Sequence, residues 1–103
     1  MKLKLSDAAE QEGGAAADWY NDQRNGLGAE FLNALESLLA SIEFAPESFS
    51  RLEDYSGARH FRQGLLKRFP YKVIFQILPD GILVGIAVAH TSRHPDYWRK
   101  RMV

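Results

Sequence analysis

The spacing of apolar residues along the chain changes near residue 58. Before this point they recur every three or four positions, which predicts an amphipathic helix over about 29–44. Its apolar face consists of Phe31, Leu32, Leu35, Leu38, Leu39 and Ile42. After this point apolar and polar residues alternate, as they do in β-strands whose two faces differ. The chain is therefore predicted to place helices before a sheet.

A second, less apolar helix is predicted from about residue 7 to 24, which places it before the 29–44 helix in the chain. Asp7 and Glu10 fit a capping box at its start. Its apolar stripe is thin, and we expect two aromatic residues to provide most of the burial. The stripe consists of Ala9, Ala16, Trp19 and Tyr20. Gly13 and Gly14 each cost about 1 kcal/mol relative to alanine, so this helix depends on its packing partners.

A short turn, Asn25–Gly28, joins the two helices into an antiparallel hairpin with one shared apolar side. Gly26 and Gly28 are expected to provide positive φ angles in this turn. Pro46 ends the second helix, and the turn-forming residues of 46–57 predict an irregular connection.

Strands are predicted over residues 2–5, 59–66, 71–78 and 82–89. In the third of these, Tyr71, Val73, Phe75 and Ile77 share one face, and Lys72, Ile74, Gln76 and Leu78 share the other. Pro79-Asp80-Gly81 is a specific hairpin signal, and the last strand is apolar on both faces, as a central strand is. We predict an α+β fold, one domain over 1–103, with the N-terminal helical hairpin packed on a small, mainly antiparallel β-sheet.

Composition narrows the classes of protein that fit. An apolar content of 46% with 25% charged residues is typical of a globular chain rather than a disordered one. The absence of cysteine excludes disulfides, thiolate metal sites and a thiol nucleophile. We expect no metal and no cofactor, because the three histidines lack the spacing of metal ligands. No segment has the length or apolarity of a membrane span or a signal peptide, so a cytoplasmic protein is expected.

The net charge of zero conceals a split between two halves of the chain. Residues 1–57 carry four basic against eleven acidic side chains, a net charge of −7, whereas residues 58–103 carry nine against two, a net charge of +7. Such a split bears on which partners each surface attracts. Two alternatives to a partner-binding surface remain. The charged residues could form ordinary solvent-exposed faces, or the basic residues could pair with the acidic helices.

Several short motifs carry a family resemblance through their order and spacing. They are Trp19-Tyr20, Gly26-Leu27-Gly28 followed by Phe31-Leu32, Pro46-Glu47, Arg68-Phe69-Pro70-Tyr71 and His90-Thr91-Ser92-Arg93-His94-Pro95-Asp96-Tyr97-Trp98. From about residue 5 to 101 the chain resembles the RelE/ParE toxin superfamily of type II toxin–antitoxin modules, and in particular its ParE-like, plasmid-stabilisation branch. The resemblance implies a toxin that acts inside a bacterial cell, a cognate antitoxin that neutralises it, and a toxin–antitoxin hetero-oligomer.

The resemblance leaves two activities open. In the ribosome-dependent nucleases of the superfamily, a 2′-OH attacks the adjacent phosphate while basic side chains stabilise the charge and an acid or base moves protons. The residues that would match this set here are Arg93, Tyr97, Lys72 and His90. The resemblance implies a pair of lysines at the positions that Gln63 and Leu65 occupy in this chain. The set of catalytic residues is therefore incomplete here.

The second activity is non-enzymatic, because the ParE branch is associated with binding DNA gyrase and stalling it on DNA. Such a toxin needs a surface rather than an active site. The candidate surface is basic and aromatic and consists of Arg59, Arg62, Lys67, Arg68, Trp98, Arg99 and Arg101. The sequence favours the gyrase binder over the nuclease, with a homologue that has lost its toxicity as a third alternative.

Overall fold

The computed structural model describes residues 2–52, 61–93, 96–99 and 101. The elements in chain order are β1 (Leu3–Leu5), α1 (Asp7–Gln23), α2 (Leu27–Phe44), a 3₁₀ turn (Pro46–Ser48), β2 (Ser50–Arg51), β3 (Phe61–Leu65), β4 (Tyr71–Ile77), β5 (Leu83–His90) and α3 (Asp96–Arg99). The strands form one sheet in the order β1-β5-β4-β3-β2. Among the strands of the described residues, only the β1–β5 pair is parallel, so the predicted α+β fold with a mainly antiparallel sheet is confirmed.

The helix α1 begins at Asp7, as predicted, but its N-cap is the residue before Asp7 rather than Asp7 itself. Ser6 is the N-cap, and its hydroxyl accepts a hydrogen bond from the Ala9 amide at 3.2 Å. A serine oxygen in this position satisfies one of the amides that the first helical turn leaves unpaired. Asp7 and Glu10 instead lie in the first turn, where negative charge is favourable.

The two glycines of the turn between α1 and α2 serve different purposes. Gly26 has a φ of 91°, as predicted, and α2 begins directly after it, two residues earlier than expected. Gly28 lies inside α2 without a positive φ, so that part of the prediction is wrong. A Cβ at Gly28 would lie 2.5 Å from the carbonyl oxygen of Ala17, which means that glycine lets the two helices approach closely.

The central strands β4 and β5 are covered on both faces. Val73 and Phe75 pack against the helices, whereas Ile74 packs with Ala87 and Trp98 on the opposite side of the sheet. This arrangement confirms the alternation predicted for 71–78. The predicted turn at Pro79-Asp80-Gly81 is present, with a φ of 86° at Gly81.

Short elements outside the strong patterns were not predicted. The segment 46–57 was expected to be irregular, yet Ser50 and Arg51 pair with Gln63 and Arg62 as an edge strand. The helix α3 has only four residues, which is too short to produce a periodic apolar pattern. Both elements exist because tertiary contacts stabilise them.

The helix–sheet core uses most of the predicted apolar face of α2. Phe31, Leu35, Leu38 and Ile42 are buried, whereas Leu32 is 41% exposed. Tyr20 stacks on Phe31 and contacts Phe69 and Tyr71 edge-on. Trp19, however, is 57% exposed, so the expectation that it shares the burial of α1 is wrong. Because the buried residues of α1 are alanine and glycine, the helix packs close to its neighbours. The Trp19 indole therefore lies at the rim of the core.

Candidate functional site: a cleft between the first helix and the last strand

The C-terminal segment passes around the edge of the sheet at β5. Trp98 of α3 is 2% exposed and packs on Ile74 and Ala87, on the face away from the helices. Arg101 reaches the other side and contacts Glu12 of α1. The prediction that Trp98 belongs to a binding surface is therefore wrong, because the indole anchors this segment.

A cleft of about 270 Å³ opens between α1 and the end of β5. Its chemistry comes from Glu12, Trp19, Tyr71, His90, Arg93 and Tyr97. A neighbouring cavity of about 370 Å³ shares Trp19, Tyr71 and His90 with it. The exposed indole of Trp19 therefore lines two adjoining cavities, together with Tyr71 and His90.

Arg93 and Tyr97 form one unit inside this cleft. The guanidinium carbon of Arg93 lies 3.9 Å from the centre of the Tyr97 ring, which is a close cation–π contact. Arg93 is exposed, so the other side of its guanidinium faces solvent. Burial, together with the negative charge and hydrogen bonding of Glu12, raises the pKa of Tyr97 to about 12, although the charges of Arg93 and Arg101 oppose the shift. The Tyr97 phenol is therefore protonated at neutral pH.

Glu12 connects α1 to both β5 and the C-terminal segment. Its carboxylate accepts from the two Nη atoms of Arg101 at 2.9 and 3.2 Å and from the Val88 amide at 3.0 Å. Arg101 also donates to the Ile86 carbonyl at 3.1 Å. The sequence did not single out Glu12, because its partners lie more than seventy positions away and no local pattern identifies such a pair.

His90 lies at the cleft but is engaged locally. Its Nδ1 accepts from the Ser92 amide at 3.0 Å and lies 2.7 Å from the Ser92 hydroxyl. An Nδ1 that accepts leaves Nε2 to carry the ring proton. The ring also packs edge-on against Tyr71, with 5.2 Å between centres. His90 is thus held in place by its neighbours.

Lys72 does not join the other three residues of the predicted catalytic set. It precedes Val73 on β4 and lies opposite Leu65 and Ala89, so its side chain is on the Ile74 face of the sheet. It is not part of the cleft lining. The structure therefore brings Arg93, Tyr97 and His90 together and separates Lys72 from them.

Three of the four basic residues of the predicted binding surface whose side chains are described have partners within the chain. Arg62 donates to the Phe49 carbonyl at 2.7 Å, and Arg68 forms an ion pair with Glu30 at 2.9 Å. The hydrogen bond from Arg68, together with Arg24, lowers the pKa of Glu30. The alternative of pairing with the acidic helices thus describes Arg68 and Arg101.

Two further residues of that surface are not described. Arg59 and the side chain of Arg99 lie outside the part of the chain that the structure describes.

Lys67 is exposed at the mouth of an apolar groove of about 260 Å³, formed with Ala34, Ser37, Leu38 and Leu65. Among the described basic side chains of that surface, Lys67 alone has no hydrogen bond or ion pair with an acidic side chain or a backbone carbonyl.

Comparison with known proteins identifies the family. The sequence matches the family of the ParE toxin of the type II toxin–antitoxin system parDE over residues 3–95. The chain belongs to the ParE toxin family. No curated protein matches this ParE-family chain in sequence.

Two solved structures share the fold of this ParE-family toxin. A chromosomal ParDE system from P. aeruginosa matches with a TM-score of 0.64 and 18% identity, over 87% of this chain and 95% of that one. The isolated E. coli RelE toxin matches with a TM-score of 0.59 and 18% identity, over 99% and 98% of the two chains. At this identity the likeness concerns the fold alone, and the fold is common to ParE and RelE toxins.

Two classes of site are not found in the described residues. Across 2–52, 61–93, 96–99 and 101, no group of histidine and acidic side chains is arranged to hold a metal ion. Within the same part of the chain, every helix is too short or too polar to cross a membrane.

Proposed function

We propose that this ParE-family toxin acts in the cytoplasm by binding DNA gyrase rather than by cleaving RNA, and that a cognate antitoxin neutralises it. The observation that carries the proposal is that Lys72 does not line the cleft that holds Arg93 and Tyr97, and that burial and Glu12 keep the Tyr97 phenol protonated. A nuclease would need these groups free and converging on one phosphate.

The requirements of RNA cleavage make the argument sharper. Cleavage by an adjacent 2′-OH needs a group that removes its proton, a cation beside the phosphate and an acid for the leaving oxygen. Arg93 is the open cation of the cleft, but Tyr97 is held protonated by burial and Glu12. His90 Nδ1 is already an acceptor for Ser92. Tyr97 and His90 therefore each have a structural partner that chemistry would have to displace.

A binding function makes better use of the same surface. Exposed Trp19, partly exposed Tyr71 and exposed Arg93 are the side-chain types that contribute most to protein interfaces. They lie along two adjoining cavities rather than around a single reacting atom. Such a surface fits contact with another protein.

The second candidate is a RelE-like, ribosome-dependent mRNA endonuclease. Its support is the joint position of Arg93, Tyr97 and His90 at one cleft. In this reading the tyrosine would act as the acid, a role that a protonated phenol can fill.

Induction of the chain in bacterial cells without its antitoxin separates the two candidates. For a gyrase binder we expect growth arrest with a DNA-damage response and intact mRNA. Tyr97→Phe should remain toxic, because the ring under Arg93 stays and only the hydroxyl is lost. Growth arrest with cleaved mRNA, abolished by Tyr97→Phe, would instead establish the nuclease.

A further inference from the structure

The Glu12 carboxylate lies where three parts of the molecule meet. It accepts from the Val88 amide of β5 and from both Nη atoms of Arg101, and its negative charge and hydrogen bonding help to raise the pKa of Tyr97. These donors come from the sheet and from the C-terminal segment, while Glu12 itself belongs to α1. One side chain thus connects three parts of the fold.

The contacts lie on a stretch of β5 that β1 leaves unpaired. The parallel partner β1 covers Leu83 to Gly85 and ends there. Beyond it, Glu12 accepts from the Val88 amide and Arg101 donates to the Ile86 carbonyl. Two side chains therefore satisfy backbone groups that a neighbouring strand would otherwise pair with.

We propose that Glu12 is a positioning residue that clasps segment 96–101 onto the open edge of β5 and so holds Arg93 and Tyr97 in the orientation that meets the toxin's target. This inference rests on the proposed function only because it assumes that the toxin has a target. We call the contacts of Glu12 with Val88 and Arg101 the clasp.

The surroundings of the clasp give it more influence than a surface ion pair has. The side chains of Arg101 and Glu12 are 28% and 20% exposed, against 62% and 37% for the Arg24–Glu30 pair. Solvent therefore screens the less exposed Arg101–Glu12 pair less than the Arg24–Glu30 pair. Arg101 also lies 5.3 Å from the Tyr97 ring, on which Arg93 packs as well. A change at Glu12 therefore reaches Arg93 through the Tyr97 ring.

The test compares Glu12→Ala and Glu12→Gln with the matched control Glu10→Ala, an exposed glutamate of the same helix. Three measurements are made on each full-length chain: exchange of the Val88 amide, the absorbance titration of tyrosine, and growth arrest after induction. Glu12→Gln keeps the side-chain shape and an acceptor, so it remains informative if Glu12→Ala does not fold.

We expect Glu12→Ala to speed exchange of the Val88 amide about tenfold or more, because the amide loses its acceptor. Both Glu12 variants should lower the pKa of Tyr97 and weaken growth arrest, and Glu10→Ala should change nothing. Unchanged exchange and titration would overturn the clasp. Altered exchange and titration with full toxicity would overturn the positioning role.

The readouts also separate this inference from the choice of target. A parent chain that arrests growth without affecting gyrase would overturn the proposed function alone, because the clasp is judged by exchange, titration and growth. A parent chain that arrests no growth would overturn the positioning role as well.

Discussion

At the scale of single residues, two glycines of the helical hairpin should respond oppositely to the same substitution. Gly28→Ala should destabilise the fold by about 1–3 kcal/mol, because the new methyl would overlap the Ala17 carbonyl and force the helices apart. Gly14→Ala should stabilise it by about 1 kcal/mol, since a Cβ there meets open space in a helix interior. Chemical denaturation of both variants checks this, and similar midpoints would contradict the helix contact.

Tyr97 should make stability depend on alkaline pH. Folding raises its pKa from 10.0 to about 12, so the folded chain holds the phenol proton more tightly than the unfolded chain. This contribution is complete below pH 10 and is lost as the pH rises through about 12. Urea denaturation from pH 9 upward should therefore show falling stability, and Tyr97→Phe should reduce the slope. Burial also raises the pKa of Tyr20 and Tyr71, so some slope should remain. An unchanged slope would show that folding does not raise the pKa of Tyr97.

At the scale of secondary-structure elements, the contact between α2 and β4 accounts for much of the core. Leu35→Ala and Phe75→Ala should each cost about 2–5 kcal/mol, because both side chains are buried between the layers. Leu32→Ala is the matched control, since Leu32 is 41% exposed on the same helix, and its cost should be far smaller. Equal losses for Leu32 and Leu35 would mean that the buried face of α2 is misassigned.

The elements that the sequence predicts are those with a strong local signal. The period of α2, the alternation of β4 and the turn before β5 each arise within a few neighbouring residues. The strand β2 and the helix α3 have two and four residues, so no periodic pattern can identify them. Arg93, Tyr97 and His90 were found through motif order, whereas Glu12 was not, because contacts across the fold define its role.

At the scale of the whole molecule, the opposite charges of the two halves partly serve to hold them together. Arg68 pairs with Glu30 and Arg101 with Glu12, which joins the C-terminal half to both helices. The described basic surface left for a partner is therefore smaller than the net charge of +7 suggests. Arg93 and Lys67 remain exposed without an acidic partner among the described side chains.

Antitoxin binding should reflect this internal pairing. We expect a short antitoxin with an acidic segment to bind the toxin and to copurify less completely as salt rises, since exposed charge pairs are screened beyond about 8 Å at physiological ionic strength. Lys67→Glu should weaken copurification already at low salt and so reduce its dependence on salt, whereas Lys4→Glu, an exposed site on β1, is the matched control. Copurification that does not change with salt would indicate an apolar interface instead.

The most direct test of the account uses the purified chain with purified gyrase, relaxed plasmid and ATP, beside the same preparation with ribosomes translating a defined mRNA. We predict that supercoiling stops, that cleaved DNA accumulates on gyrase and that the mRNA stays intact. Arg93→Ala should weaken the gyrase effect, because Arg93 is the exposed cation of the cleft. Normal supercoiling together with cleaved mRNA would contradict the account.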